Sequence, residues 1–517
     1  MSALPLIVEA LLKPGAYPCK PQDVELAQTQ MSFIFLTGNY VYKVKKPVNL
    51  GYLDYTTLEK RKFYCYQELE LNRRLCPNVY LEVVPVVRGG DSIFVEAHGE
   101  AIEYAVKMRQ LPRERMMDRL LSTGQVSLEM VTRVAQRLAE FHQKAETDPQ
   151  ISAYGDVDII SGNAEENFAQ TEKYIGVSIS ARGYRHIKDY TDRFIQQNTP
   201  LFRKRVEEGR IRDCHGDLHA AHICFINGIC IYDCIEFNDR FRYSDVASEV
   251  AFLAMDMDRY GCGDLSHCFV DAYVELSHDG ELLHLLDFYK CYRAYVRGKV
   301  ESFKLDDTYI SEGEKQEALG AAGRYFALAY SYARGRPLLI ITTGLVGTGK
   351  TDLSHALAHR LGMPVISSDI IRKELADIPL DEHRFEEFEG GIYSEDFSRG
   401  TYSRMLIETR SLLSRGSSVI IDASFKKADE RYRAGRLAEE MDADFLIIEC
   451  ALDEETIKQR LKQRIKEGSV SDGRWEIYQS QKADFEAVRG VPQQNHVIVD
   501  TSRPVNEVAS FILEKIG

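Results

Sequence analysis

The sequence contains no apolar run long enough to cross a membrane. Among its 517 residues, runs such as LLIIT and FLIIECAL fall well short of the roughly 20 residues that a membrane-spanning helix needs. The first eighteen residues have no basic region, and Glu9 interrupts their apolar stretch, so they make a poor signal peptide. These absences predict a cytoplasmic protein with no membrane partner.

The sequence also has little that would hold nucleic acid. Its formal net charge is −14 at pH 7, and its one tryptophan is Trp475. Binding through bulk electrostatics needs the opposite charge, and binding of single strands commonly uses aromatic stacking platforms. A nucleic-acid partner would need a local basic groove and is not favoured. Nothing in the sequence predicts the oligomeric state.

No Cys-x-x-Cys pair occurs among the eleven cysteines. Four cysteines lie close together without the ligand spacing of a zinc site, namely Cys214, Cys224, Cys230 and Cys234. We therefore predict that the cysteines are small buried hydrophobic residues in a reducing compartment.

From Pro337 onward, short apolar runs alternate with longer amphipathic stretches. The runs are 338–343, 364–367, 418–421, 445–451 and 496–499. This alternation predicts an α/β domain over 337–517, with a mainly parallel five-stranded sheet covered on both faces. The polar segment ARGRP at 333–337 is the predicted boundary.

Residues 1–332 are predicted to form a separate α+β domain. The stretches 31–46 and 79–108 are rich in β-branched and aromatic residues, and the second is predicted to contain a hairpin turning at His98-Gly99. Beyond about Pro112 the pattern is helical, and one helix places five apolar side chains on one face: Leu128, Val131, Val134, Leu138 and Phe141. The expected layout is a small β-rich lobe followed by a large helical lobe.

The segment GLVGTGKT, residues 344–351, fits the pattern G-x-x-x-x-G-K-[ST] between a predicted strand and a predicted helix. Its glycines are Gly344, Gly347 and Gly349. They let backbone N–H groups turn toward phosphate oxygens, and the helix N-terminus adds its dipole. In this arrangement Lys350 neutralises the β- and γ-phosphates of ATP, and the Thr351 hydroxyl ligates Mg²⁺.

Two carboxylates follow later strands of the same domain, at the edge where open α/β sheets bind ligands. Asp369 is a candidate base for a substrate hydroxyl, and Arg372 is placed to hold a substrate anion. The alternative is a helix N-cap followed by a solvated arginine. Asp422 ends a strand, where a carboxylate orients Mg²⁺ through water.

Arg460 and Arg464 lie four residues apart on one helix face. Such a pair either closes over a transferring phosphate or forms a plain charged face. Together with GLVGTGKT, SSDIIRKEL and VIIDASF, the pair resembles the P-loop kinases of the polynucleotide-kinase and zeta-toxin type over essentially all of 337–517. The resemblance implies that Asp369 is the substrate-activating base, Arg372 a substrate anchor and the two arginines part of a lid.

These kinases phosphorylate hydroxyls as different as nucleic-acid 5′ ends, sugars and sugar nucleotides. The resemblance therefore implies a reaction type and leaves the acceptor open.

The segment CHGDLHAAHICFINGICIYD, which begins at residue 214, contains two short strands joined by Asn227-Gly228, a strong hairpin signal. Asp217 precedes this hairpin and Asp233 ends it, so one site can contain both carboxylates, one as a base and one on a metal. Two histidines beside Asp217, His215 and His219, also suggest metal binding, but oxygen-preferring Mg²⁺ fits the two aspartates better.

This segment resembles the catalytic loop of aminoglycoside-phosphotransferase-like kinases, which are relatives of the protein kinases. The likeness spans roughly residues 25–300. It implies that Asp217 is the base, that Asp233 holds the metal, and that Asp245 is structural.

Further upstream, Lys43 suits the strand lysine that reaches the α- and β-phosphates, and Glu68 suits its helical ion-pair partner. Lys45 lies on the same face of the strand, so the assignment between the two lysines stays open.

The front segment departs from that family in two respects. No G-x-G-x-x-G precedes Lys43, where only Gly38 occurs, and His222 stands in place of the asparagine that gives Mg²⁺ an oxygen. Three interpretations stay open: the site works with one well-held ion, His222 points elsewhere, or the domain has lost catalysis and kept nucleotide binding. In an active domain, Asp233 would hold the metal with help from His222 or water.

The two resemblances imply a phosphotransferase with two ATP sites, Mg²⁺ as cofactor and small-molecule hydroxyl acceptors. The alternative is a front pseudokinase that regulates a rear kinase acting on small molecules or nucleic-acid ends. Modification of aminoglycosides is not implied, because their pocket should be strongly acidic and the acidic run at 381–389 lies in the other domain.

Overall fold

The computed structural model describes residues 5–516 except 91, 227, 308–309, 362, 380–390, 415 and 468–474. The chain divides into two compact units: unit 1 is Met1–Ala164 with Phe194–Lys290, and unit 2 is Glu165–Arg193 with Cys291–Gly517. Residues 291–336, which the sequence assigns mostly to the first domain, therefore belong to unit 2. The domain boundary at 333–337 stays a prediction.

The α-helices of the described residues are numbered in chain order. They are α1 (Leu6–Leu11), α2 (Leu58–Arg73), α3 (Met117–Ser122), α4 (Leu128–Lys144), α5 (Pro149–Ser152), α6 (Val157–Thr171), α7 (Ala181–Gln197), α8 (Thr199–Glu207), α9 (Asp239–Arg242), α10 (Val246–Arg259), α11 (Gly263–Ser277), α12 (Leu282–Phe303), α13 (Glu312–Arg334), α14 (Lys350–Leu361), α15 (Ser368–Leu375), α16 (Glu395–Leu413), α17 (Ala428–Glu440), α18 (Glu454–Glu467), α19 (Trp475–Asp484) and α20 (Val505–Ile516). Among the described residues, no helix combines the length and the apolar character that crossing a membrane requires.

The strands are numbered in the same way. They are β1 (Glu25–Gln28), β2 (Ser32–Leu36), β3 (Tyr40–Lys45), β4 (Tyr80–Gly89), β5 (Ser92–Val95), β6 (Ala101–Arg109), β7 (Ile211–Asp213), β8 (Ile223–Ile226), β9 (Gly228–Ile231), β10 (Tyr243–Asp245), β11 (Leu338–Thr343), β12 (Val365–Ser367), β13 (Val419–Asp422), β14 (Asp444–Ala451) and β15 (His496–Asp500).

Unit 1 contains a six-stranded antiparallel sheet in the order β1-β2-β3-β6-β4-β5. The strand-rich character of 31–46 and 79–108 is confirmed, but the hairpin predicted at His98-Gly99 is wrong. Strand β5 pairs with β4, and β6 pairs with both β3 and β4. The turn lies between β4 and β5, where Gly90 has φ +61°, a conformation that glycine adopts without strain.

Helix α4 begins after Ser127, whose hydroxyl accepts a hydrogen bond from the Met130 N–H and so caps the helix. Four of the five side chains predicted on its buried face are buried: Val131, Val134, Leu138 and Phe141. Leu128 is 55% exposed, which corrects the prediction for that residue. It is the first residue of α4, where the helix has not yet reached the core.

Unit 2 contains a five-stranded sheet in which every pairing is parallel, in the order β12-β13-β11-β14-β15. The predicted five-stranded parallel sheet is therefore confirmed. Alternate side chains of β11 enter opposite cores: Leu339 and Ile341 pack with α16 and α17, while Leu338 and Ile340 pack with α14 and α20. Because both faces are covered, residues 338–341 of β11 are all apolar.

One disulfide joins Cys76 to Cys230, with their Cα atoms 4.8 Å apart. This corrects the prediction that all eleven cysteines are reduced; the other nine are free. The two partners are 154 residues apart in sequence. Spacing within the sequence could not reveal the pair, because folding brings together the segment that follows α2 and strand β9.

Candidate functional site

In unit 1, Lys43 lies between two carboxylates. Its Nζ is 2.8 Å from Glu68 Oε1 on α2 and 2.6 Å from Asp233 Oδ1, which follows β9. Burial works against the charge of Lys43, but Asp233 and Glu68 outweigh it and raise the lysine pKa well above its usual value. The structure thus brings together three of the residues predicted for the front nucleotide site.

Lys45 has different partners, although it shares Glu68. Its Nζ is 2.7 Å from Glu68 Oε2 and forms an ion pair with Glu236, which also accepts a hydrogen bond from Tyr55 at 2.6 Å. The Lys45 side chain is 1% exposed, against 12% for Lys43. Lys43 is the lysine that contacts Asp233, whereas Lys45 is enclosed in the core.

The loop that carries Asp217 is held by its backbone. Gly216 has φ +86°, and a Cβ built on it would lie 2.8 Å from the carbonyl oxygen of Phe241, so glycine is required there. Glu249, on α10, accepts hydrogen bonds from the N–H groups of His215 at 2.9 Å and Gly216 at 2.6 Å. A buried carboxylate therefore fixes the turn immediately before the predicted base.

Glu249 is itself paired with an imidazole. Its Oε2 lies 2.9 Å from His142 Nε2, and His142 Nδ1 lies 2.7 Å from the Tyr273 hydroxyl. Burial opposes ionisation of Glu249, but the bonds from His142 and His215 more than offset it and lower its pKa to about 2. Glu249 was not predicted from the sequence, since its only signal there is an acidic residue one turn into α10.

Asp245 caps that helix. Its Oδ1 accepts a hydrogen bond from the Ala247 N–H at 2.9 Å, and both of its oxygens bind the guanidinium of Arg205. The same arginine contacts Asp279. The cap and the buried pair agree with the structural role predicted for Asp245.

Asp233 has a strained backbone. Its φ is +63°, an uncommon value for a residue other than glycine, and such residues cluster at functional sites. The Asp233 N–H donates to the Tyr80 hydroxyl at 3.2 Å, and the next N–H, of Cys234, donates to the side chain of Asn72 at 2.9 Å. Burial opposes the charge of Asp233, yet Lys43 and His222 hold its pKa well below the usual range.

His222 lies between the two aspartates. Its Nδ1 is 2.9 Å from the backbone oxygen of Asp217, and its Nε2 is 3.5 Å from Asp233 Oδ2. Burial, followed by the charge of the nearby His219, lowers the pKa of His222 to about 4, so the ring is neutral at pH 7. The structure therefore places His222 beside the predicted metal ligand Asp233.

Asp217 also faces His219. Asp217 Oδ2 is 3.6 Å from His219 Nε2 and 3.6 Å from His222 Nδ1, and the two imidazole rings are 3.9 Å apart. One ligand atom from each of these three residues lies within 4.8 Å of the others, a spacing that suits a metal ion. This site thus contains three carboxylates, two imidazoles and an ammonium group, from Glu68, Asp217, Asp233, His219, His222 and Lys43. The predicted hairpin of β8 and β9 positions it, although Asn227 lies outside the described residues.

In unit 2, the glycine loop connects β11 to α14, as the sequence predicts. Gly344, Gly347 and Gly349 all have positive φ angles. A Cβ on Gly344 would lie 2.7 Å from the carbonyl oxygen of Cys450, and one on Gly347 would lie 3.1 Å from Ile457 and Leu461. The loop is therefore packed on both sides and admits only glycine at these two positions.

The end of the loop carries Lys350 and Thr351, the first two residues of α14. Lys350 Nζ donates to the backbone oxygen of Leu345 at 2.8 Å, and the Thr351 side chain is exposed. The N–H of Val346 donates to Gln481 Oε1 on α19 at 2.9 Å. Gln481 was not predicted from the sequence, which carries no signal for a side chain that caps a loop from 135 residues away.

Arg460, on α18, lies against the loop. Its Nη2 donates to the Thr501 backbone oxygen at 2.7 Å, and its Nη1 would be 3.2 Å from a Cβ on Gly349. The guanidinium group is thus close to the predicted phosphate site. The side chain of Arg464, its predicted partner, lies outside the described part of the structure.

Asp422 and Asp369 lie at the carboxyl edge of the same sheet. Asp422 ends β13, is buried and pairs in register with Ser367, and Asp369 is the second residue of α15, which directly follows β12. Arg372 is buried and donates to the Ile392 backbone oxygen at 2.6 Å and to the Ser398 hydroxyl at 3.2 Å. Arg372 is therefore not the solvated arginine of the alternative interpretation. The acidic run at 381–389 lies outside the described residues.

Comparison with known proteins finds similarity within unit 2 and over a longer range of the chain. The model of a family described as "AAA domain" matches residues 339–488. A gluconokinase structure from Sinorhizobium meliloti is 21% identical, with a TM-score of 0.26, and the match covers 35% of this chain and 91% of that one. Over the longer range, uncharacterized proteins of Mycobacterium bovis and Mycobacterium tuberculosis are each 31% identical over 456 residues, which is 88% of this chain and 88% of theirs.

Proposed function

The chain belongs to the family of these two mycobacterial proteins, and from its own two sites we propose that it is an ATP-dependent phosphotransferase. The rear site in unit 2 and the front site in unit 1 each bind ATP and transfer its γ-phosphate to a hydroxyl group. The acceptors are small molecules, with nucleic-acid ends less favoured because of the net charge of −14.

For the rear site, the glycine loop between β11 and α14 supports the proposal. Its N–H groups and the N-terminus of α14 form an anion site, and Lys350 supplies a positive charge for the β- and γ-phosphates. Arg460 lies beside Gly349, in a position to neutralise charge on the transferring group.

For the front site, the observation that carries the proposal is the position of Lys43 between Glu68 and Asp233. A strand lysine paired with a helical glutamate, next to an aspartate after a hairpin, is the arrangement that orients nucleotide phosphates in kinase-like enzymes. This supports an aminoglycoside-phosphotransferase-like fold for unit 1, with Asp217 as the base.

The chemistry is the same at both sites. The acceptor oxygen forms a bond to the γ-phosphorus of ATP, the bond from that phosphorus to the β–γ bridging oxygen breaks, and ADP leaves. The hydroxyl proton passes to a carboxylate, which is Asp217 at the front and Asp369 at the rear. In the rear unit, Arg372 orders the segment around Ile392 and Ser398 through its hydrogen bonds, and we propose that this segment contacts the acceptor.

The donors for a metal differ between the sites. The Thr351 hydroxyl and the Asp422 carboxylate are oxygen donors of the kind that Mg²⁺ prefers, so the rear site fits that ion, which would neutralise phosphate charge there. At the front, the donors beside each other are the Asp233 carboxylate and the His222 imidazole. That pair does not match the all-oxygen preference of Mg²⁺.

The experiment is a screen for transfer of radioactive γ-phosphate from ATP to a pool of metabolites, using the full chain. Asp217→Ala should remove one set of products and Asp369→Asn another, while ATP affinity stays near that of the parent, because a base acts on the acceptor. The double variant should form no products. Transfer that persists in the folded double variant would refute the proposal.

A second candidate, in which unit 1 senses nucleotide and regulates unit 2, is favoured by His222 at the position of the metal-binding asparagine. In that case Asp217→Ala would leave every product of the screen unchanged. Lys43→Met would instead change the ATP concentration at which the rear site responds.

A further inference from the structure

The front site contains a pair of atoms arranged to chelate a cation. Asp233 uses Oδ1 for the Lys43 ammonium, 2.6 Å away, and turns Oδ2 toward His222 Nε2, 3.5 Å away. Lys43 therefore leaves one carboxylate oxygen facing the imidazole. His222 directly precedes β8 and Asp233 follows β9, and the two strands pair at Ile223 and Ile231. The pairing of the hairpin therefore fixes the spacing of the imidazole and the carboxylate.

The other ring nitrogen determines what His222 offers. His222 Nδ1 lies 2.9 Å from the backbone oxygen of Asp217, and a carbonyl oxygen can only accept a hydrogen bond, so Nδ1 carries the hydrogen. The tautomer with its hydrogen on Nδ1 presents its lone pair at Nε2. A hydrogen bond of this kind at the far nitrogen is also what orients metal-binding histidines in proteins.

The lone pair of Nε2 thus faces the oxygen of Asp233 in a half-buried site, where the His222 side chain is 14% exposed and the Asp233 side chain 39% exposed. Two electron-rich atoms in this position repel each other, and a cation between them replaces that repulsion with two attractions. An ion at about 2.1 Å from both would bind them at an angle of about 110°, which is close to tetrahedral. The spacing therefore suits a metal bound by one nitrogen and one oxygen.

The donor types select the metal. Imidazole nitrogen suits zinc, cobalt, nickel and iron, whereas magnesium favours oxygen ligands. We propose that the front site holds a divalent first-row transition cation through His222 Nε2 and Asp233 Oδ2, in place of Mg²⁺. The proposal rests on the proposed function in one respect only: if ATP binds at the front site, this ion would contact the phosphates of the nucleotide.

Two neighbouring groups complete the surroundings of the ion. Asp217 Oδ2, 3.6 Å from His222 Nδ1, adds negative charge, and His219 packs against the His222 ring at 3.9 Å. His219 Nε2 lies 3.6 Å from Asp217 Oδ2. The phosphates of the nucleotide and water would supply the remaining ligands.

The test measures binding of the metal alone to the full chain, in a Thr351→Ala background that removes a ligand of the rear site. Bound Co²⁺ is followed by visible absorption, and bound Mn²⁺ by pulsed electron paramagnetic resonance, which detects coupling to a ligand nitrogen. We expect nitrogen coupling in the parent. His222→Asn should abolish that coupling and weaken Co²⁺ binding by about tenfold or more, while improving the competition of Mg²⁺ for the site.

The matched control is His496→Gln, because His496 also lies beside a carboxylate, with its Nε2 2.8 Å from Glu449. This variant should bind Co²⁺ as the parent does. Asp233→Asn gives a second variant of the proposed pair and should also weaken Co²⁺ binding. Circular dichroism confirms that each variant is folded.

Nitrogen coupling that is absent from the parent, or that survives in His222→Asn, would overturn the proposal. So would Mg²⁺ displacing Co²⁺ from the parent at equal concentration. These results are independent of catalysis. A site that binds Co²⁺ through His222 but transfers no phosphate supports the metal assignment and contradicts front-site transfer, whereas transfer with Mg²⁺ and no Co²⁺ binding does the reverse.

Discussion

Glu249 holds the backbone of Gly216, whose N–H donates to Glu249 Oε1 at 2.6 Å. The second carboxylate oxygen accepts the N–H of His215 at 2.9 Å. Since Asp217 is the next residue, the position of the proposed base depends on a buried carboxylate of α10.

Glu249→Gln should destabilise unit 1. A neutral amide offers one acceptor oxygen where the carboxylate offers two, so one buried N–H loses its partner, at a cost of about 1–3 kcal/mol. Urea unfolding measures the change. Glu275→Gln, an exposed change on α11, is the control and should stay within about 0.5 kcal/mol of the parent. Equal unfolding midpoints for the two variants would contradict the proposed role of Glu249.

The stabilisation by Glu249 should depend on pH. Its pKa is lowered from 4.5 to about 2 in the folded protein, so the folded state favours the ionised form. The contribution is therefore fully present above pH 4.5 and is lost as the pH falls toward 2. The stability difference between the parent and Glu249→Gln should be constant from pH 7 to pH 5 and shrink below pH 4.5. A difference that grows on acidification would be inconsistent with this assignment.

Lys43 and Lys45 should differ in what their loss does. Lys45→Met leaves Glu236 buried without its ammonium partner and should lower the free energy of unfolding by about 3–5 kcal/mol. Lys43→Met removes a less buried group and should mainly reduce ATP affinity at the front site, since Lys43 contacts Asp233. Urea unfolding and nucleotide binding, measured for both variants, test this. The opposite pattern would assign the phosphate contact to Lys45.

Lys350→Ala should abolish ATP turnover at the rear site with little change in stability. The Lys350 ammonium donates to the backbone oxygen of Leu345 within the loop, and the lysine is not part of the hydrophobic core. Its loss should therefore affect phosphate binding more than packing. The measurement is phosphate release by the full chain in an Asp217→Ala background, which silences the front site. Unchanged release from the folded double variant would refute the role of the lysine.

The rear sheet could be predicted from the sequence because its signals are local. The inner strands β11 and β13 are buried along their length and contain apolar runs, and the loop between β11 and α14 carries its glycines at fixed spacing. The role of the front loop was predicted in the same way, from the neighbours of Asp217, and stays a prediction. In each case, the information lies within a few residues of the feature.

What the sequence did not predict depends on contacts between distant segments. The glycine at position 99 suggested a hairpin, but strand pairing is decided by which edges the sheet offers, and β6 enters between β3 and β4. The disulfide between Cys76 and Cys230 likewise joins segments that are 154 residues apart in sequence. Asp245 could be predicted as structural because it stands at the start of a helix. Glu249, four residues later, was not predicted, because nothing local in the sequence shows that its side chain reaches the loop at His215 and Gly216.

The position of β6 also sets the order in which unit 1 can assemble during synthesis. The strands β1 to β3 leave the ribosome first and the β4–β5 hairpin second, but β6, which joins the two pieces, is made last of the six. Until Arg109 has emerged, β3 and β4 each present an unpaired edge, and such edges attract other chains. The edges of β3 and β4 therefore stay open to wrong pairing until β6 is inserted between them.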